Sequence, residues 1–155
     1  MRSRRWATAA ATSATVSGSA SNRSAAARSY GMNLGIAFQL IDDALDYGGT
    51  SAALGKNVGD DFREGKITLP IVLAYRRGDE EERSFWRRTL QRGEIREDDL
   101  ATALATMRRH GTLEETVARA RHYGEQATAA LSAFPDGPVK AALLDAVEFC
   151  VARAH

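Results

Sequence analysis

The chain has 155 residues, 21 Lys and Arg against 20 Asp and Glu, a formal net charge of +1, 44% hydrophobic residues and one cysteine. That length is enough for one domain with a substantial core, and the near-neutral balance argues against nucleic acid or an anionic membrane surface as a partner. Cys150 has no partner for an internal disulfide and reads as a small buried hydrophobe in a reducing compartment; no apolar run reaches the roughly 18 residues of a transmembrane segment, so the expectation is a cytoplasmic protein.

Residues 1–29, MRSRRWATAAATSATVSGSASNRSAAARS, are rich in Ala, Ser, Thr and Arg and contain no acid. A targeting segment shares that composition, but its basic residues should be spread along an amphipathic helix, whereas Arg2, Arg4 and Arg5 cluster here. Composition favours an irregular, disordered or loosely helical tail. From Ser29 to Tyr47 the pattern turns helical, with Tyr30, Leu34, Phe38, Ile41 and Leu45 recurring at three and four residues. Gly48, Gly49 and Thr50 stop that helix and open a long loop, of the kind that is functional or disordered, reaching to Lys66.

Ile67–Arg77 is predicted helical, with Pro70 in the first turn, where its missing N–H does no harm. Asp79–Glu82 reads as the acidic cap of a helix carrying Phe85, Trp86 and Leu90. Asp98–Arg109 follows with Leu100, Leu104 and Met107 on one stripe. A long helix over Leu113–Phe134 has Leu113, Val117, Ala120, Ala127, Leu131 and Phe134 as its apolar face, and Val139–Ala154 buries Leu143, Val147, Cys150 and Val151. No strand-like alternation occurs, so the fold class is all-α. His110 and His122 have no further ligand at zinc spacing. The pairs Arg76–Arg77, Arg87–Arg88 and Arg108–Arg109 fall near helix ends, where they complement the helix dipole.

The chemistry concentrates between Gly35 and Pro70. Asp42, Asp43 and Asp46 interrupt an apolar helical run, and acids three and four residues apart repel on one helix face. A hard cation such as Mg²⁺, which takes one or two protein carboxylates and completes its shell with water and phosphate, would relieve that repulsion. Lys56 and Lys66 follow in a glycine-rich segment that can fold back over the helix end. Acids, metal and two ammonium groups together describe a diphosphate site. DDxxD alone on a surface helix is more often a solvated acid patch than a metal site.

The wider pattern, Phe38 and Gln39 before the acids, Gly55 and Lys56 after them, then GDDFREGKITLP, resembles the second aspartate-rich region of the trans-isoprenyl diphosphate synthases, above all the bacterial long-chain octaprenyl and decaprenyl enzymes that make quinone side chains. The resemblance spans Tyr30 to His155. It implies the C-terminal helices of the isoprenoid synthase bundle, over residues 30–155, and a transferase joining isopentenyl diphosphate to an allylic diphosphate. By position, Asp42 and Asp46 would bind Mg²⁺ with Asp43 in support, Lys56 and Lys66 would contact the diphosphate, and Gln39 would line the cavity near the reacting carbons. Asp60 and Asp61 would either hold metal-bound water or simply be solvated. The family's members are considerably longer, and no counterpart of their first aspartate-rich motif precedes Asp42. The expectation is therefore a fragment with little or no activity alone, in which residues 1–29 replace native sequence. The alternatives are a non-catalytic subunit that associates with a full-length synthase or with its own copies, and a plain helical interaction domain.

Overall fold

The computed structural model describes residues 5–48 and 58–153. Among these, all regular structure is helical: α1 (Arg5–Leu45), α2 (Asp60–Arg63), α3 (Leu69–Arg77), α4 (Glu80–Trp86), α5 (Asp99–Arg109), α6 (Thr112–Ala130) and α7 (Pro138–Ala152). A π-helical turn, Arg87–Gln91, continues α4, and a 3₁₀ turn, Leu131–Ala133, ends α6. The sequence places the first helix from Ser29 onward; in the structure it runs unbroken back to Arg5. The alanine-rich composition of that segment, which has no proline and little glycine, is compatible with helix throughout.

α1 and α6 lie against each other antiparallel. Tyr30 of α1 packs with Ala127 and Leu131 at one end, and Tyr47, just past α1, packs in the cluster that includes Leu113 at the other. The buried faces are built from small residues. α1 contributes Ala37, Ile41 and Ala44, while α6 contributes Thr112, Thr116, Ala120, Gly124 and Ala127. This shifts the buried stripe of α6 from Leu113 and Val117 to the two threonines. Their hydroxyls are satisfied by backbone carbonyls, Thr116 Oγ1 donating to Thr112 within α6 at 2.7 Å and Thr112 Oγ1 to Met107 of α5 at 3.4 Å, so they can be buried at little cost. A Cβ on Gly124 would stand 2.9 Å from Val151 Cγ2, so α6 and α7 also approach closely. The Tyr30 hydroxyl donates to the Leu143 carbonyl at 2.9 Å and ties α7 to α1.

The larger aromatic core, Phe62, Trp86, Ile71 and Met107 with Phe85 against them, gathers α2, α3, α4 and α5 beyond the end of α1. α4 starts with a reciprocal cap: Asp79 Oδ1 accepts from the Glu82 N–H at 2.9 Å and Glu82 Oε2 from the Asp79 N–H at 3.2 Å. The expected acidic cap is thus present, and Glu82 also pairs with Arg109 and His110. The basic pairs serve specific carboxylates as well as helix ends, since Arg77 bonds Glu115 and Arg88 bonds Asp99.

The loop that returns to α1 depends on Gly59. Its φ is +79°, its N–H donates to the Asp46 carbonyl at 2.8 Å, and a Cβ there would fall 2.3 Å from Leu100 Cδ1. Gly59→Ala is expected to lower stability by about 1–3 kcal/mol through the left-handed backbone and the displaced leucine. A thermal melt unchanged within a degree or two would contradict this.

Candidate functional site

α1 ends in its acids. Asp42, Asp43 and Asp46 occupy the last turn and the residue after it, and no basic residue lies in that turn, so their charges meet the negative end of the helix dipole. A nearby cation is required to make the arrangement tolerable. The acids open on a cavity of about 760 Å³ whose wall includes Gln39, Asp42, Asp43, Asp46 and Lys66. Five of the six residues singled out from the sequence therefore share one cavity. The sixth, Lys56, lies outside the described residues, as do Gly49 and Gly55.

Each acid has its own partner. Asp43, 7% exposed, accepts from Gln39 Nε2 at 2.8 Å, the i, i+4 contact that a helix provides. Asp46 Oδ2 accepts from the backbone N–H of Asp61 at 3.1 Å, across the loop that Gly59 turns. Asp42 Oδ1 accepts from Arg153 Nη2 at 2.9 Å. Lys66 Nζ stands 2.8 Å from both Asp61 Oδ1 and Glu64 Oε2, and these hydrogen bonds, Asp61 first, hold its ammonium well above the usual lysine range. It is charged at any pH of interest.

Sequence reasoning left Asp60 and Asp61 equivalent and missed Arg153 and Thr68. Asp61 lines the cavity, whereas Asp60 turns outward to Arg63 at 3.2 Å. The Thr68 Oγ1, also in the cavity wall, and the Tyr47 hydroxyl are buried and face each other, with no other hydrogen-bond partner. Burial, opposed by the Thr68 hydroxyl and reinforced by the charges of Asp46, Asp61 and Asp43, pushes the Tyr47 phenol far above its usual range, so it stays protonated. Burial likewise raises the Cys150 thiol, which lies near Arg153 and Asp42. That shift disfavours the thiolate.

The residues fit a hydrated divalent ion carrying a diphosphate. All the acids offer hard oxygen, and an ammonium and a guanidinium face the same space. Among the described residues, no three His, Cys, Asp or Glu side chains already stand at metal-holding spacing. The acids are instead engaged by the partners named above.

An all-α bundle with an aspartate-rich helix end over a polar cavity is the architecture of an isoprenoid synthase. Residues 4–107 match the polyprenyl synthetase family, and the chain belongs to it. It is 38% identical to the octaprenyl diphosphate synthase of Haemophilus influenzae over 142 residues, 92% of this chain and 43% of that protein. With the octaprenyl diphosphate synthase of Escherichia coli it shares 44% identity over 124 residues, 80% of this chain and 38% of that protein. A crystal structure of a decaprenyl diphosphate synthase from Rhodobacter capsulatus superposes with a TM-score of 0.80 at 45% identity, over 87% of this chain and 42% of that one. A polyprenyl synthase from Caulobacter crescentus, complexed with calcium and isoprenyl diphosphate, gives a TM-score of 0.76 at 48% identity, over 85% of this chain and 40% of that one. The chain thus spans about two fifths of the length of these relatives. Among its described residues no helix is long and apolar enough to cross a membrane.

Proposed function

We propose that residues 30–155 form the second aspartate-rich side of a polyprenyl diphosphate synthase site, one that binds an allylic diphosphate through Mg²⁺ for condensation with isopentenyl diphosphate. The observation that carries this is the single cavity lined by Gln39, Asp42, Asp43, Asp46 and Lys66. The relative solved with calcium and isoprenyl diphosphate supports it. In the condensation the allylic C–O bond breaks with its electron pair going to diphosphate. The terminal carbon of the isopentenyl diphosphate double bond then closes on the allylic carbon, which leaves a tertiary cation on the neighbouring carbon, and a proton is lost from the CH₂ on the far side of that cation to form the new double bond. Bound Mg²⁺ supplies neutralisation of the charge that develops on the departing diphosphate.

Asp42 and Asp46 would hold the metal. Gln39 fixes the Asp43 carboxylate behind them, and the Asp61 N–H fixes Asp46. Lys66 offers a permanent ammonium to the phosphate oxygens, and Thr68 Oγ1 a neutral donor, both already in position before charge develops. The quinone side chains of the bacterial relatives are the product class this reading implies. The chain brings one aspartate-rich motif, so it supplies one side of the clamp and works only with a second.

The test is calorimetry of Mg²⁺ with and without inorganic diphosphate. Mg²⁺ alone is expected to bind weakly, because carboxylates of one helix complete only part of an octahedral shell, and diphosphate is expected to strengthen it. Asp42→Ala with Asp46→Ala should abolish that gain; tight binding without diphosphate that ignores both substitutions would exclude the assigned site. Association with a full-length synthase or with further copies is the second reading. It rests on Met32, Phe38 and Phe149, which are 64%, 46% and 71% exposed. Sedimentation should show species larger than the 16.8 kDa monomer; a clean monomer at high concentration would remove that reading.

A further inference from the structure

Arg153 and Asp42 are 111 residues apart in the chain, yet α7 delivers the guanidinium to the mouth of the acid cavity. Arg153 is the C-cap residue of α7, where the helix dipole favours a cation. Its Nη2 donates to Asp42 Oδ1 at 2.9 Å, and its guanidinium carbon lies 5.0 Å from the centroid of the Phe38 ring, one helical turn before Asp42. The aromatic face holds the fork over the acid. Both side chains keep solvent access, 26% for Arg153 and 37% for Asp42, so the pair can open without unfolding anything.

We infer that Arg153 is the resident counter-ion of Asp42, and that a divalent cation has to displace it from Oδ1 before that carboxylate can serve as a ligand; the inference rests on the metal reading of the site above. A metal at about 2.1 Å from the carboxylate oxygen would stand within a few ångströms of the guanidinium, so the two cations exclude each other there. Arginine cannot yield by losing its proton, and the conflict is relieved only by movement of the side chain. Asp43 differs, since its partner Gln39 is neutral. Arg153 is thus a positioning residue: it offsets the charge of Asp42 at the helix end while the metal is away, and it sets how readily metal enters.

The experiment is titration of the whole chain with Mn²⁺ at neutral pH without diphosphate, followed by electron paramagnetic resonance of free Mn²⁺, with circular dichroism melts to establish that each variant is folded. Arg153→Gln is expected to bind Mn²⁺ about three- to tenfold more tightly than wild type, the range set by removing one partly exposed competing charge. Arg153→Lys keeps the charge but loses the planar fork over Phe38, and should fall between the two. It also serves as the second variant if the glutamine form does not fold. Lys140→Gln, which removes the same charge at the other end of α7, where Lys140 pairs with Asp136, should leave affinity unchanged. Unchanged or weaker Mn²⁺ binding in Arg153→Gln overturns the counter-ion role. If that result comes with binding that Asp42→Asn abolishes, the metal site stands without it. Binding indifferent to Asp42→Asn overturns the metal site and the counter-ion together.

Discussion

The purified chain, supplied with Mg²⁺, farnesyl diphosphate and radiolabelled isopentenyl diphosphate, is expected to yield no extractable labelled product. Ionisation of an allylic diphosphate separates charge, and the barrier falls only if the leaving group is held in fixed electrostatic contacts as the bond breaks. Asp42, Asp46 and Lys66 line one cavity, and the chain has no acid at all before Asp42 to face them. Loss of a single well-placed stabilising group typically lowers a rate by about 10²–10³. Absence of a facing set of acids should therefore take turnover below detection. Turnover that vanishes with Asp42→Ala would mean that the chain completes its site by itself or across an oligomer, and the one-sided reading would fall.

Asp99→Ala is expected to lower stability strongly, by about 3 kcal/mol. Asp99 is 6% exposed, and Arg88 reaches it with both terminal nitrogens, Nη1 to Oδ2 at 2.9 Å and Nη2 to Oδ1 at 2.7 Å, while the Arg96 N–H adds a third bond at 2.7 Å. Removing the carboxylate leaves a largely buried guanidinium without its counter-ion between the π-helical turn and the start of α5. For a domain of this size that corresponds to a fall in Tm of roughly 6–12 °C. Replacing the pair by Arg88→Met with Asp99→Leu should recover much of the loss, because apolar packing substitutes for a buried ion pair when both charges go together.

The same pair sets a pH dependence. The Arg88 hydrogen bonds, first, and the Arg96 N–H hold the Asp99 carboxyl below the usual aspartate range, while burial opposes them. The folded state therefore binds fewer protons than the unfolded state in acid. The stabilisation is complete above the ordinary aspartate pKa and drains away as pH falls through the lowered folded value. Acid unfolding should begin at higher pH in Asp99→Asn than in wild type. Superimposable acid-unfolding curves would contradict this assignment.

The helices were legible because burial repeats with the helical period, and α3, α5 and α7 fall within two residues of where that pattern puts them. The buried faces of α1 and α6 were less so. Two helices in close approach select small residues, so Ala37, Ala44, Thr112 and Thr116 are buried where larger neighbours, Phe38 and Val117, are not. The site helix was readable for the opposite reason: three acids at an apolar helix end are unfavourable unless something compensates them. What compensates them was not readable, because Arg153 reaches Asp42 through the fold and no spacing relates them. Which of Asp60 and Asp61 faces the cavity likewise depends on the left-handed turn at Gly59, a property of the backbone and not of two identical side chains. The π-helical turn at Arg87–Gln91 carries no signature in its residues, and its hydrogen-bond ladder belongs to the packed fold.

The most direct test of the one-sided diphosphate site is a crystal of the chain grown with Mn²⁺ and inorganic diphosphate, with the metal located by its anomalous scattering. The account predicts Mn²⁺ on the oxygens of Asp42 and Asp46, diphosphate oxygens within hydrogen-bond distance of Lys66 Nζ, and the Arg153 guanidinium moved off Asp42 Oδ1. Mn²⁺ and diphosphate bound elsewhere, with the Arg153–Asp42 pair intact and the cavity holding only water, would contradict it.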